Sequence, residues 1–272
     1  MKLLKWVGSK AAVADQILDL LPSRCRRFIE PMAGSAVIGL RMATARRAEQ
    51  LVLCDVNDEI IHLYRAVKTN PTGVATFIRA MALRYNTSSE QHLLYKEWVM
   101  ERNFERQRDV KSAARTVVIN RSCFNGLFRV NSKGDFNTPW GKRDKILTQP
   151  LISAVVETAA LLSRSDATLV SGQYDSWGSP NPGDVIYLDP PYDGTFSAYS
   201  SRKWADADLL ALAAYAKRAA RFAQVFVSNS DTPAVRAAFE GSHFHAIAGR
   251  SCVSQKSRSR GPRKELLIEV VP

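Results

Sequence analysis

Residues 183–192 read GDVIYLDPPY, and the way this stretch is read decides the fold. Val185 to Leu188 form a short apolar run without polar alternation, as in a parallel strand buried on both faces. Pro190 and Pro191 each hold φ fixed and lack an N–H, so neither strand nor helix continues beyond Asp189. Working outward, other short runs have the same character: CRRFIEP (25–31), QLVLCDVND (50–58), ATLVSG (167–172), QVFVSN (224–229), FHAIAG (244–249) and KELLIEVV (264–271). AAVADQILDLL (11–21) has helical spacing, and MAGSAVIGLRMATA (32–45) reads as a small-residue loop opening into a helix. The beginning of the chain is thus helix, strand, Gly-containing loop, helix and strand with an acidic tip, the start of an α/β doubly wound sheet.

Between these runs the pattern is helical near 58–68, 71–85, 90–107 and 110–122, and again near 148–163. Residues 125–147 are rich in Gly, Asn and basic side chains. We therefore expect a catalytic α/β domain made from residues 1–60 and 160–272. Residues 61–159 are expected to form a mainly helical insertion that carries a reading loop at 120–145.

The 272 residues are 46% hydrophobic and 24% charged, a balance that suits a globular protein with a sizeable core. No run of about 18 apolar residues marks a membrane span. MKLLKWVGSK lacks the apolar stretch of a secretory signal, so a cytoplasmic location is expected, in a prokaryote or a phage-infected cell. Cys25, Cys54, Cys123 and Cys252 are widely spaced, and His243 and His245 alternate as same-face strand residues do; no metal site is expected. Lys and Arg outnumber Asp and Glu by 38 to 26, a formal net charge of +12 that favours a polyanionic partner.

Three strand ends carry acids: Glu30 before Pro31, Asp55 after Cys54, and Asp189. In open α/β sheets ligands bind beyond the carboxyl ends of the strands. Asp55 follows Gly34 at about the spacing with which a carboxylate holds a ribose, but the loop lacks GxGxxG, so a pyrophosphate is disfavoured. S-adenosylmethionine fits, having a ribose, a cationic end and no phosphate. Gly8 and Lys10 in KWVGSK could receive its carboxylate.

At DPPY, the Asp189 carboxylate and the Pro190 carbonyl are two fixed acceptors, and Tyr192 adds a flat ring. Together they suit an exocyclic amino group on a heterocycle. Accepting both N–H groups favours a pyramidal nitrogen whose lone pair can attack a sulfonium methyl, with no covalent enzyme intermediate. A base in a duplex must first leave the stack.

DPPY together with EPMAGS (30–35), KWVGSK (5–10) and NRSCFNGLFRVNSKGDFNTPWGKR (120–143) resembles, nearly end to end, the Dam-type, alpha-ordered DNA adenine-N6 methyltransferases. The resemblance implies a Rossmann-like S-adenosylmethionine-dependent methyltransferase sheet, with S-adenosylhomocysteine as product. It implies a cofactor pocket of Trp6, Gly8, Lys10, Glu30, Pro31, Gly34, Ser35, Asp55, Gln173, Tyr174 and Asp189, and a catalytic floor of Asp189, Pro190, Pro191 and Tyr192. Double-stranded DNA is the implied partner and GATC the implied target, met by a monomer that uses no metal and no membrane. Asn125, beside Phe124, would fill the gap of a flipped adenine or hold its partner base. Leu127 and Pro139 would touch a thymine methyl, and Arg129 would bond a guanine, as arginine does through N7 and O6. Lys5, Asn131, Lys142 and Arg143 complete the implied DNA surface, and Arg250, Lys256, Arg258 and Arg260 in the acid-free stretch 250–264 would track phosphates.

Several positions depart from the family pattern. Ser9 and Ala36 stand where glycine is usual, Phe124 where tyrosine is common, and Trp140 where phenylalanine is. Lys142 and Arg143 replace an Arg and a Tyr, which puts the outer-base contact in question. A cytosine-N4 or RNA methyltransferase, or a DNA-binding regulator without catalysis, are the alternatives; the missing phosphate loop argues against a nicotinamide enzyme.

Overall fold

The computed structural model describes residues 3–192, 204–248 and 264–272. The chain divides into two compact units: a helical one from residues 3–7 and 57–164, and a sheet unit from 8–56, 165–192, 204–248 and 264–272.

In the sheet unit, β1 (Cys25–Glu30), β2 (Ala48–Asp55), β3 (Thr168–Ser171), β4 (Asp184–Leu188), β5 (Gln224–Ser230), β6 (His243–Ala248) and β7 (Lys264–Glu269) form one sheet in the order β3-β2-β1-β4-β5-β7-β6. The first five are parallel; β7 runs antiparallel to both β5 and β6. Each apolar run singled out in the sequence is therefore a strand. Strand order reverses between β1 and β4, where Ile29 lies beside Ile186. Helices α1 (Ala14–Leu20) and α2 (Val37–Thr44) precede and follow β1, and α8 (Asp206–Ala220) and α9 (Pro233–Ala238) flank β5 in sequence.

Strand β4 is buried throughout, as its unbroken apolar pattern requires. Ile186 and Leu188 join Ile29, Val225, Val227, Leu212 and Phe239 in one apolar cluster. Each such side chain contributes about 1.5–3 kcal/mol on burial. At the amino end of β4, buried Asp184 is held by its register neighbour Arg27 through bonds of 2.9 and 2.5 Å.

In the helical unit, α3 (Asp58–Thr69), α4 (Pro71–Thr87), α5 (Gln91–Glu105), α6 (Val110–Ser122) and α7 (Thr148–Arg164) close on the spans the periodicity predicts. Asn57 caps α3 and Asn70 caps α4, where Pro71 needs no N–H partner. Buried Arg115 of α6 is neutralised by Glu101 (3.1 Å) and Glu105 (2.8 Å) of α5. No helix is long and apolar enough to cross a membrane, among the described residues.

The loop after β1 is tied down by its own backbone, with Ala33 N–H donating to Cys54 O at 3.0 Å. Ala36, where the family pattern has glycine, takes the left-handed conformation at φ 49°, a strain of about 1–2 kcal/mol for an L residue. Gly39, one helical turn on, is compulsory for a different reason. A Cβ there would stand 2.7 Å from Glu30 Oε2 and 2.9 Å from Leu51 Cδ1. Gly39→Ala is expected to lower stability by about 1–3 kcal/mol, the range for overpacking a core, measured by thermal or urea denaturation.

Candidate functional site

The sheet unit gathers the polar groups expected at strand ends. Lys10 is buried, and its ammonium lies 2.7 Å from Asp189 Oδ1, 2.9 Å from Oδ2 and 3.0 Å from the Gly8 carbonyl. It also stands over the Tyr192 ring, 4.6 Å from the centroid. Expected at a cofactor carboxylate, Lys10 is thus engaged by Asp189 in this structure, because a buried ammonium needs a counter-charge. Burial raises the Asp189 pKa, and the Lys10 charge opposes that rise. Pro190 is buried and Pro191 half-buried, so the chain leaves β4 stiffly. Tyr187, in β4, bonds Ser228 Oγ of β5 at 2.6 Å, and the Tyr192 phenol is held un-ionised well past its usual range, chiefly by burial.

Asp55 accepts the Gly34 N–H at 2.7 Å, joining the tip of β2 to the loop after β1. Ser35 bonds Ser9 Oγ at 3.2 Å, so the 8–10 segment closes on the same loop. Beyond β3, Gln173 is exposed, and half-buried Tyr174 meets Tyr215 edge-on at 5.1 Å. Pro31 is buried at the head of the loop. Glu30 behaves differently from its neighbours. Its carboxyl turns inward, accepts the Gly39 N–H at 2.8 Å, and is pushed up to about 8 by burial, against the pull of that hydrogen bond. Its first task is to hold α2 to β1, and Gly39 is the partner that sequence spacing did not reveal.

The helical unit contains Trp6, which packs on Phe128 at 5.9 Å, and the whole of segment 120–145. That segment is a hairpin. Phe124 N–H donates to Pro139 O (2.8 Å), Val130 bridges Phe136, and Asn137 N–H donates to Arg129 O (3.0 Å). At its tip the Asn131 side chain accepts from Lys133 N and Asp135 N at 2.9 Å each, so its oxygen shapes the turn. Phe124 is 52% exposed, enough to offer a ring face, and exposed Asn125 sits in the left-handed region at φ 54°. Leu127 is half-buried and Pro139 exposed, and Thr138 Oγ1 connects them by donating to Leu127 O at 2.8 Å. Lys142 and Arg143 are exposed at the foot of the hairpin.

Polar side chains that the sequence reading did not single out fasten this hairpin by its carbonyls. Arg102 of α5 bonds Gly134 O at 2.7 Å and pairs with Glu59. Asn103 accepts from Phe136 N (2.8 Å) and donates to Phe136 O (3.1 Å). Tyr95 donates to Thr138 O at 2.6 Å and Tyr85 to Arg143 O at 2.5 Å. Buried Asn120 accepts from Lys5 N and donates to Lys5 O, both at 2.8 Å, and reaches Gly126 O at 3.1 Å. Gly126, at φ 67°, leaves room for Lys5; a Cβ there would be 2.7 Å from the Lys5 carbonyl. Burial, with the Arg143 and Arg121 charges nearby, lowers the Lys5 pKa. Arg250, Lys256, Arg258 and Arg260 lie outside the described residues.

The strand order, the acids at strand ends and the basic hairpin meet in one family. Residues 6–252 match the profile of the D12 class N6 adenine-specific DNA methyltransferases. The chain belongs to that class. It is 29% identical to a DNA adenine methylase of Serratia marcescens, over 97% of this chain and 96% of the relative. It is 28% identical to a type II methyltransferase of Lactococcus lactis subsp. cremoris, over 97% and 93% of the two chains. A retron DNA adenine methylase of Escherichia coli is 29% identical over 92% of this chain and 85% of its own. D12-class membership makes this an adenine-N6 DNA methyltransferase, and the cytosine and RNA alternatives lose their footing. Among the described residues no cluster of His, Cys, Asp or Glu could hold a metal ion.

The inward Glu30 gives a pH signature to this D12-class chain. With a folded pKa above the unfolded 4.5, the native state holds a proton that the unfolded state releases, so stability falls as pH rises from 4.5 to about 8. Relative to Glu30→Gln, the wild-type denaturation midpoint should decline across that window. A pH-independent difference would mean that Glu30 titrates as an exposed acid does.

Proposed function

We propose that the protein transfers a methyl group from S-adenosylmethionine to the N6 of an adenine flipped out of double-stranded DNA, with GATC as the target. The observation that carries this reading is Asp189-Pro190-Pro191-Tyr192 at the carboxyl end of β4, beside the reversal of strand order at β1, in a chain whose hairpin presents Leu127, Arg129 and Pro139. Crevices at such reversals hold the ligands of open α/β sheets.

The cofactor supplies an electrophilic methyl on a sulfonium sulfur. Its ribose is assigned to Asp55, at the tip of β2 beside the Gly34 loop. Its amino-acid end is assigned to the loops at Gly8, Lys10, Gly34 and Ser35, which the Ser9–Ser35 bond holds together. Pro31, Gln173 and Tyr174 are assigned to the pocket wall. Glu30 acts from behind, by fixing α2 through Gly39.

Asp189 and the Pro190 carbonyl accept the two amino hydrogens of adenine, and Tyr192 offers its ring. By accepting those hydrogens, Asp189 and Pro190 would free the N6 lone pair to take the methyl that a bound S-adenosylmethionine would supply, and the proton then lost from nitrogen would pass to solvent. Burial raises the Asp189 pKa and Lys10 opposes that rise, favouring the carboxylate form that suits an acceptor for two N–H groups. For recognition, Arg129 takes a guanine, Leu127 and Pro139 take a thymine methyl, and Asn125 beside Phe124 fills the space of the flipped base. Lys5 with Lys142 and Arg143 takes the outer base pair. Asn131 supports the turn, and Arg250, Lys256, Arg258 and Arg260 take phosphates, so binding should weaken steeply with salt.

Plasmid DNA methylated by the enzyme and then cut with restriction enzymes of differing sensitivity to GATC methylation tests the target. Full cleavage by a methylation-blocked enzyme would overturn GATC. Asp189→Ala should abolish methyl transfer while duplex binding persists, read with labelled cofactor and by gel shift; turnover in a folded variant would end the mechanism. Arg129→Ala should relax discrimination at a single guanine by about 1–3 kcal/mol, read from kcat/KM on duplexes with one base pair changed.

A further inference from the structure

The side chain of Arg129 does not swing freely from the hairpin. Its Nε–H donates to Asn137 Oδ1 at 2.7 Å, and Nη2 donates to the Asn137 carbonyl at 2.7 Å. The same two residues are joined a third time by Asn137 N–H to Arg129 O at 3.0 Å. Among the described residues no other hydrogen bond to this guanidinium is present. A guanidinium has five N–H donors in one plane. One edge is formed by Nε–H and the adjacent Nη2–H, and Asn137 fills that edge. The edge that remains, one N–H from each of Nη1 and Nη2, is the fork that matches two acceptors side by side, as on guanine O6 and N7.

We propose that Asn137 is a positioning residue for recognition: it locks Arg129 so that its terminal fork is presented outward before DNA arrives. The proposal rests on the reading of Arg129 as the guanine contact. The lock removes most of the rotamer freedom that a four-torsion side chain would lose on binding. It also fixes the plane of the fork, so the correct acceptor pair is met face on and a single acceptor is met poorly. Asn137 is itself exposed, and its backbone N–H keeps its bond whatever the side chain, so the hairpin does not need the amide for folding. Its support comes from the turn made by Asn131 and from Asn103 at Phe136.

The experiment compares wild type, Arg129→Ala, Asn137→Ala and Asn137→Asp. Each is assayed for kcat/KM on the mapped target duplex and on duplexes carrying every single base-pair change, with thermal midpoints and the salt dependence of binding measured alongside. Asn137→Ala is expected to lower discrimination about 5- to 20-fold at the one base pair that Arg129→Ala also relaxes, and at no other. Its thermal midpoint and salt slope should stay as in wild type. Asn137→Asp retains an acceptor for Nε–H and should restore most of the discrimination. If Arg129→Ala relaxes one base pair while Asn137→Ala leaves that pair unaffected, the positioning role is wrong and the reading of Arg129 stands. If Asn137→Ala weakens all duplexes alike with a shallower salt slope, Asn137 contacts a phosphate and the proposal is overturned. If Arg129→Ala changes no preference, the reading of Arg129 itself fails and takes the proposal with it.

Discussion

In the sheet, β1 is the strand at which the winding changes sense: β2 and β3 extend it on one side, and β4, β5 and the antiparallel pair extend it on the other. Connections leaving the carboxyl ends of β1 and β4 must therefore go to opposite faces, and what those ends carry is left facing an opening. This constraint ranks the carboxylates of the unit. Asp184, at the amino end of β4, is matched in register by Arg27 of the neighbouring strand and is a structural pair. Asp189, at the other end of β4, finds its cation from a loop, Lys10, whose ammonium also reaches the Tyr192 ring. One strand thus carries an acid at each end, and only the second stands where chemistry can reach it.

Much of this was legible in the chain. Short apolar runs mark the strands, most plainly β4, which is parallel and buried throughout and so leaves no alternating pattern. The helices between residues 58 and 122 were legible from their periodicity, and Asn57, Asn70 and Asp109 cap three of them. The end of β4 before the two prolines needed only the covalent constraint of proline.

What was not legible is the set of bonds between distant side chains and main chain. Asn120 reaches Lys5 across 115 positions, and nothing periodic announces it. Glu30 looked like another strand-end acid, yet its carboxyl turns to Gly39, since β1 and α2 pack closely enough to bury it. Lys10 was read as a receiver for a ligand anion, and the structure adds a partner that the sequence did not name, the Asp189 carboxylate at 2.7 Å. In each case the residue type was informative and its partner was not, because the partner is selected by packing.

Most of the bonds that fasten the hairpin to the helices end on main-chain atoms: the carbonyls of Gly126, Gly134, Phe136, Thr138 and Arg143, and the amide of Phe136; Asp135, paired with Arg106, and Trp140, which donates to the Tyr85 hydroxyl, are the side chains used. A carbonyl is the same whatever side chain its residue bears. Positions 127, 129, 139, 142 and 143 can therefore change identity while the hairpin keeps its path. On the proposed reading of the hairpin, shape and alphabet are thus separate, and a lineage could exchange single letters of its target sequence one side chain at a time, without rebuilding the platform beneath.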